Sequence, residues 1–110
     1  MRLSEDEIFR FLHGQTLHAF DPQTLERVAT VEYRNDGTCL AYMADDTSDD
    51  GLYGVEGNFY WTQYRNFRNG EKNRFSLEFI DAETAQAVFE SGKLAFIQSA
   101  KSSISHDTSQ

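Results

Sequence analysis

Closely spaced turn signals are the feature that most constrains this chain. From Gly14 onward, short runs rich in β-branched and aromatic residues alternate with compact groups of turn formers. Asp21-Pro22-Gln23-Thr24 has proline at the second position of a type I turn. Asn35-Asp36-Gly37 is a hairpin signal, because tight connections between twisted strands need residues that tolerate positive φ. Glu56-Gly57, Asp81-Ala82-Glu83 and Ser91-Gly92 close further hairpins, and Asn69-Gly70 lies in a longer connection. A chain interrupted this often builds hairpins rather than long helices. The intervening runs, 15–20, 25–33, 38–43, 51–55, 58–64, 73–80, 84–90 and 93–99, read as strands, with polar loops at 44–50 and 65–72.

One helix precedes them. Ser4-Glu5-Asp6-Glu7 has the spacing of a capping box, and Ile8, Phe9, Phe11 and Leu12 follow as an apolar face. Gly14 suits the position just past a helix end, so the helix is placed at 5–13. Its three leading acids face the positive end of the helix dipole.

The fold class is therefore mainly β: an eight-stranded antiparallel up-and-down barrel with one short N-terminal helix. Closing eight strands on themselves removes the exposed edges. Residues 82–90 leave an alternative open. Asp81 can cap a helix there, and alanine and glutamine favour one. If those residues are helical, the barrel does not close. Residues 1–100 form one domain, and the Ser-rich stretch 101–110 reads as a flexible tail.

Composition removes several functions. The net charge of −8 argues against nucleic acid and anionic membranes, since phosphate contacts require a positive surface. Cys39 is the only cysteine, which excludes an intramolecular disulfide and a multi-cysteine zinc site. No apolar run approaches a membrane span, so no membrane insertion is expected. The polar, acidic start is unlike a signal peptide and points to the cytoplasm; a periplasmic or secreted location follows if a leader was removed ahead of Met1.

Local chemistry is sparse. Asp46, Ser48, Asp50 and Gly51 match the opening positions of a calcium loop, but its twelfth position falls on Gly57, where a bidentate Glu is required. His13, His18 and His106 lack metal spacing. There is no nucleophile elbow, phosphate loop or dinucleotide fingerprint. Phe59, Tyr60, Trp61, Tyr64, Arg65, Phe67, Arg68 and Arg74 mix aromatic and basic residues as a single-strand stacking platform does, but the overall charge opposes that reading. No catalytic residue, metal or cofactor is assigned. An enzyme would need groups brought together from distant strands, such as His18 with a carboxylate.

Turn lengths orient the expected barrel. In a meander alternate turns share an end. The connections at 44–50 and 65–72 fall at one end, which becomes the mouth, while the helix joins the first strand at the other. The first loop carries Asp45, Asp46, Asp49 and Asp50, and the second region carries Arg65, Arg68, Lys72 and Arg74. These are either two solvated loops or a basic loop that recruits an anionic head group.

The segment Gly51-Leu52-Tyr53-Gly54-Val55-Glu56-Gly57-Asn58-Phe59-Tyr60-Trp61 resembles small calycin-type barrels, lipocalin- and streptavidin-like, and in particular small bacterial domains of unknown function. These carry a Gly-x-aromatic-x-Val strand, a tight turn and an aromatic strand. Some have a cysteine in the second strand; Tyr60 stands near that place here. The resemblance implies a barrel that binds a small apolar or aromatic ligand.

The first reading is a non-enzymatic binding barrel for a small apolar, aromatic or anionic molecule. Tyr33, Tyr53, Phe59, Trp61, Phe75 and Phe79 are its expected interior, with Arg65 or Arg74 near the entrance. The second is an interaction module or structural homodimer. It rests on strands that are apolar on both faces, with Phe59 and Trp61 opposite Tyr60 and Tyr64, and Leu94 and Phe96 opposite Ala95 and Ile97.

Overall fold

Ser4 starts the helix as its spacing predicts. In the computed structural model, which describes residues 2–104, the Ser4 N–H donates to Glu7 Oε1 at 2.8 Å, and the Glu7 N–H donates back to Ser4 Oγ. α1 runs Glu5–Leu12, one residue shorter than predicted. His13 is already extended, and Gly14 at φ 72° turns the chain into the first strand. Ile8 and Leu12, one turn apart, are fully buried.

Eight strands follow: β1 (Thr16–Phe20), β2 (Arg27–Tyr33), β3 (Thr38–Met43), β4 (Ser48–Glu56), β5 (Phe59–Tyr64), β6 (Lys72–Asp81), β7 (Thr84–Phe89) and β8 (Leu94–Ser99). Each pairs antiparallel with the next, and β8 returns to β1 to close the barrel. β7 takes residues whose alanines and glutamine favour helix. It pairs with both neighbours, placing Ala85 and Ala87 inside at no exposure and Gln86 between them. Two buried small side chains at a two-residue period suit a crowded sheet interior, and that packing overrides alanine's helix propensity.

Two expected boundaries differ. The acidic stretch 44–50 is not a long loop. Asp45 Oδ1 accepts from both the Thr47 N–H and its hydroxyl, Asp46 takes φ 72°, and β4 begins at Ser48. The mouth therefore has one long connection, at 65–71, carrying a short 3-10 segment (Phe67–Gly70). Similarly, Asp21 caps its turn by accepting from the Gln23 and Thr24 amides, and Leu25 at φ 61° holds β2 back to Arg27.

The helix closes one end. Leu3, Ile8 and Leu12 share a buried cluster with Leu17, Tyr33, Cys39, Tyr53 and Leu77. The Leu3 N–H donates to the Leu77 carbonyl, and the Tyr53 hydroxyl donates to the Arg34 carbonyl while lying 3.2 Å from His13 Nδ1. At the same end Ala100 and Lys101 are pinned by Glu83, Ser99 and Asp81. Of the expected tail, residues 105–110, including His106, lie outside the described residues. No helix of the described residues is long and apolar enough to cross a membrane.

Candidate functional site

The half of the barrel away from the helix is hollow. A cavity of about 400 Å³ opens at the end that carries the β1–β2, β3–β4, β5–β6 and β7–β8 connections. Side-chain size explains the hollow. Ala19, Ala29 and Ala41 occupy successive strands, with Ala19 directly paired to Ala29 and Val31 to Ala41. These short side chains face a wall that includes Phe75 and Phe96. On the helix side the inward residues are larger, with Leu17, Tyr53 and Leu77 filling the space that Ile8 and Leu12 plug.

A hydrogen-bonded bridge separates the two halves. The Tyr33 hydroxyl donates to Gln98 Oε1, and Gln98 Nε2 donates to the Tyr60 hydroxyl, both at 2.8 Å. This ties β2, β8 and β5 across the interior. Tyr33 and Gln98 also line the cavity, so the bridge is its floor. All three side chains are buried, with Gln98 only 1% exposed. Burial drives the Tyr33 and Tyr60 phenols well above the ordinary range. They remain neutral donors and acceptors rather than acids or bases at physiological pH.

The rim is built by the β5–β6 connection, which β4 holds in place. Asp49, 6% exposed, accepts from the Asn66 N–H at 2.7 Å, the Phe67 N–H at 2.9 Å and Asn66 Nδ2 at 3.2 Å. Burial raises its pKa, but the Phe67 and Asn66 amides and the Asn66 side chain outweigh burial, and the net shift is downward. Beside it, Arg65 Nε and Nη2 donate to the two oxygens of Asp50. The connection so anchored carries Phe67, which packs near Tyr64, and Arg68; all three line the cavity. Cys39 sits in the packed core. Burial raises its thiol to about 11, partly offset by the Tyr64 hydroxyl, so it remains protonated and is not a nucleophile.

The expected site residues divide. Tyr33 and Phe75 line the cavity. Tyr53 points inward but belongs to the packed half. Phe59 and Trp61 do not face the interior: on β5 the buried positions are Tyr60 and Thr62. Gly54, directly across the hairpin from Trp61, gives the physical reason. A Cβ on Gly54 would meet the indole Nε1 at 2.6 Å, so the missing side chain is the seat on which the indole lies outside the barrel. Lys72 Nζ caps that ring at 4.3 Å, and the Arg2 guanidinium covers Phe59 at 4.9 Å. Phe79 has inward parity but lies past the rim at the helix end, against Phe11 and 44% exposed. Neither expected entrance cation reaches the cavity. Arg65 pairs with Asp50, and Arg74, beside Trp61, pairs with Glu56 at 3.6 Å.

Sequence reasoning did not place Gln98, Tyr60, Thr62 or the three alanines in the interior. Gln98 had one signal, being an amide that directly follows the apolar run Leu94-Ala95-Phe96-Ile97. His18 bonds Thr30 across the β1–β2 pair at 2.9 Å. Among the described residues no group of three or more His, Cys, Asp or Glu side chains is placed to hold a metal ion. Comparison with family models, curated proteins and solved structures returns no significant match.

Proposed function

We propose that this chain is a non-enzymatic binding barrel that holds a small, largely apolar molecule in its open half. The observation that carries the reading is the hollow itself. About 400 Å³ lies within the ordinary size range of ligand pockets, and its wall is mostly alanine, valine and aromatic carbon with a few polar groups. The helix fills the opposite end, so a ligand has one way in. The floor satisfies its own hydrogen bonds, which allows an apolar body to rest against it without stranding a polar group. A meander barrel closed at one end by a short helix also supports grouping the chain with calycin-like binding barrels of the small bacterial type that Gly51–Trp61 resembles.

The test is direct binding of phenylnaphthylamine, a neutral aromatic dye that brightens in apolar surroundings. Saturable binding by the wild type, abolished by Ala29→Phe, supports the proposal. Absence of saturable binding, or binding unaffected by filling the cavity, refutes it. A homodimer keeps one supporting observation: Phe79 and Ile80, consecutive on β6, are 44% and 55% exposed. Sedimentation at micromolar concentration decides it, and a clean monomer refutes it.

A further inference from the structure

We infer that the ligand is a monoanion, an apolar body with one carboxylate- or sulfonate-like group, and that Arg68 holds that group at the mouth of the cavity. The inference rests on the binding reading above and names the ligand class for the same site.

Four cations lie in or beside the β5–β6 connection, and the structure uses three of them elsewhere. Arg65 is paired with Asp50, Arg74 with Glu56, and Lys72 caps the outer face of Trp61. Arg68 alone lines the cavity. Its guanidinium carbon stands 5.6 Å from the Phe89 ring centroid and 5.9 Å from that of Phe75. Among the described residues its side chain forms no ion pair and no hydrogen bond, and only its backbone carbonyl is engaged, accepting from the Glu71 N–H. Stacking over rings leaves the in-plane N–H donors of a guanidinium available, and those donors match a carboxylate or sulfonate.

Backbone geometry adds an independent observation. Arg68 sits at φ 57°, ψ 34°, the left-handed region that costs stability for a side chain with a Cβ. Asn69 and Gly70, which follow in the same region, are residue types that enter it readily. Backbone preference alone would favour glycine or asparagine at 68 as well. Arginine there accepts strain and places a charge over the pocket. The same charge counteracts part of the burial effect on the Tyr60 and Tyr64 phenols.

The rest of the molecule repels anions. With a net charge of −8, no general field draws an anion to this mouth. Discrimination in favour of an anion therefore depends on one residue, which makes the inference simple to test.

Two dyes of the same aromatic skeleton serve as probes: anilinonaphthalene sulfonate and phenylnaphthylamine, which lacks the sulfonate. The wild type is expected to bind the sulfonate roughly tenfold more tightly. Arg68→Gln removes that preference while changing affinity for the neutral dye far less. Arg68→Gly also removes it, and because glycine relieves the positive φ, this variant melts no lower than Arg68→Gln. Equal binding of both dyes by the wild type, or an unchanged preference in both variants, overturns the role of Arg68 and leaves the binding barrel standing. If neither dye binds the wild type, the binding barrel and this inference fall together.

Discussion

Replacing Ala29 with phenylalanine distinguishes a hollow barrel from a filled one. Ala29 sits on the cavity wall between Ala19 on β1 and Met43 on β3, a small side chain and a flexible one. A benzyl group added there enters open space. Burying a phenylalanine side chain is worth about 1.5–3 kcal/mol. Part of that is lost to side-chain ordering and incomplete contact, so Ala29→Phe is expected to stabilise the fold by about 1 kcal/mol. The matched control is Ala85→Phe. Ala85 is fully buried and paired with Gln98 on one side and Phe79 on the other, below the bridge that floors the cavity. Overpacking a filled core costs about 1–3 kcal/mol, and here the added ring also presses on Gln98.

The two alanine substitutions thus have opposite expected signs for the same chemical change. Thermal and urea unfolding followed by far-ultraviolet circular dichroism reads the difference; 1 kcal/mol corresponds to about 4–8 °C in Tm for a domain near this size. Dye binding should be lost in Ala29→Phe although the protein is no less stable. If Ala29→Phe destabilises as much as Ala85→Phe, the alanine-lined half is packed in solution and the argument from side-chain size is wrong.

Other consequences follow from the bridge, the core thiol and the rim. Gln98→Leu strands the Tyr33 and Tyr60 hydroxyls and should cost about 1–3 kcal/mol in urea unfolding, whereas adding Tyr33→Phe to it should cost less than the sum of the two single changes. Tyr33, Tyr53, Tyr60 and Tyr64 all have raised pKa values, so the folded state retains protons that the unfolded chain releases. The stability they contribute is intact below about pH 10 and falls as pH rises beyond it; phenolate absorbance from these four should appear together with unfolding rather than before it. Cys39, buried and raised to about 11, should resist a disulfide reagent at pH 8 in the native protein and react at once in denaturant. Asp49 is depressed, so its hold on the Asn66 and Phe67 amides is complete above its unfolded value and is lost as pH falls through the lower folded one. Dye affinity should weaken in acid below about pH 4, and Asp49→Asn should weaken it already at neutral pH.

The turn chemistry made most of the architecture legible. Asn35-Asp36-Gly37, Glu56-Gly57 and Ser91-Gly92 set strand order, and the Ser4–Glu7 capping box set the helix. Even the open end followed from turn parity, although only 65–71 proved long. The 44–50 segment misled because Asp49 and Asp50 are polar strand residues whose purpose, anchoring the opposite loop, lies about sixteen residues away in sequence. The inward face of β5 was misread for a related reason. Every candidate residue on both faces is aromatic or amphipathic, so hydrophobic alternation carries no sign there. What assigns the faces is the pairing of Gly54 with Trp61, a cross-strand fact that becomes visible only once the register of the β4–β5 hairpin is fixed.

The same limit applies to the charged rim. In sequence Arg65, Arg68, Lys72 and Arg74 are equivalent members of one basic stretch, and nothing local ranks them. Register ranks them. Asp50 on β4 stands where Arg65 leaves β5, Glu56 lies within reach of Arg74, and the outward indole of Trp61 takes Lys72. Each partner comes from the β4–β5 hairpin, and each holds its cation on the outside of the barrel. Arg68 is set apart by the left-handed backbone between Phe67 and Gly70, which turns it over Phe75 and Phe89 instead. A strained backbone that directs one cation toward an apolar hollow, while three neighbours are neutralised or capped outside, is the arrangement an anionic ligand would require.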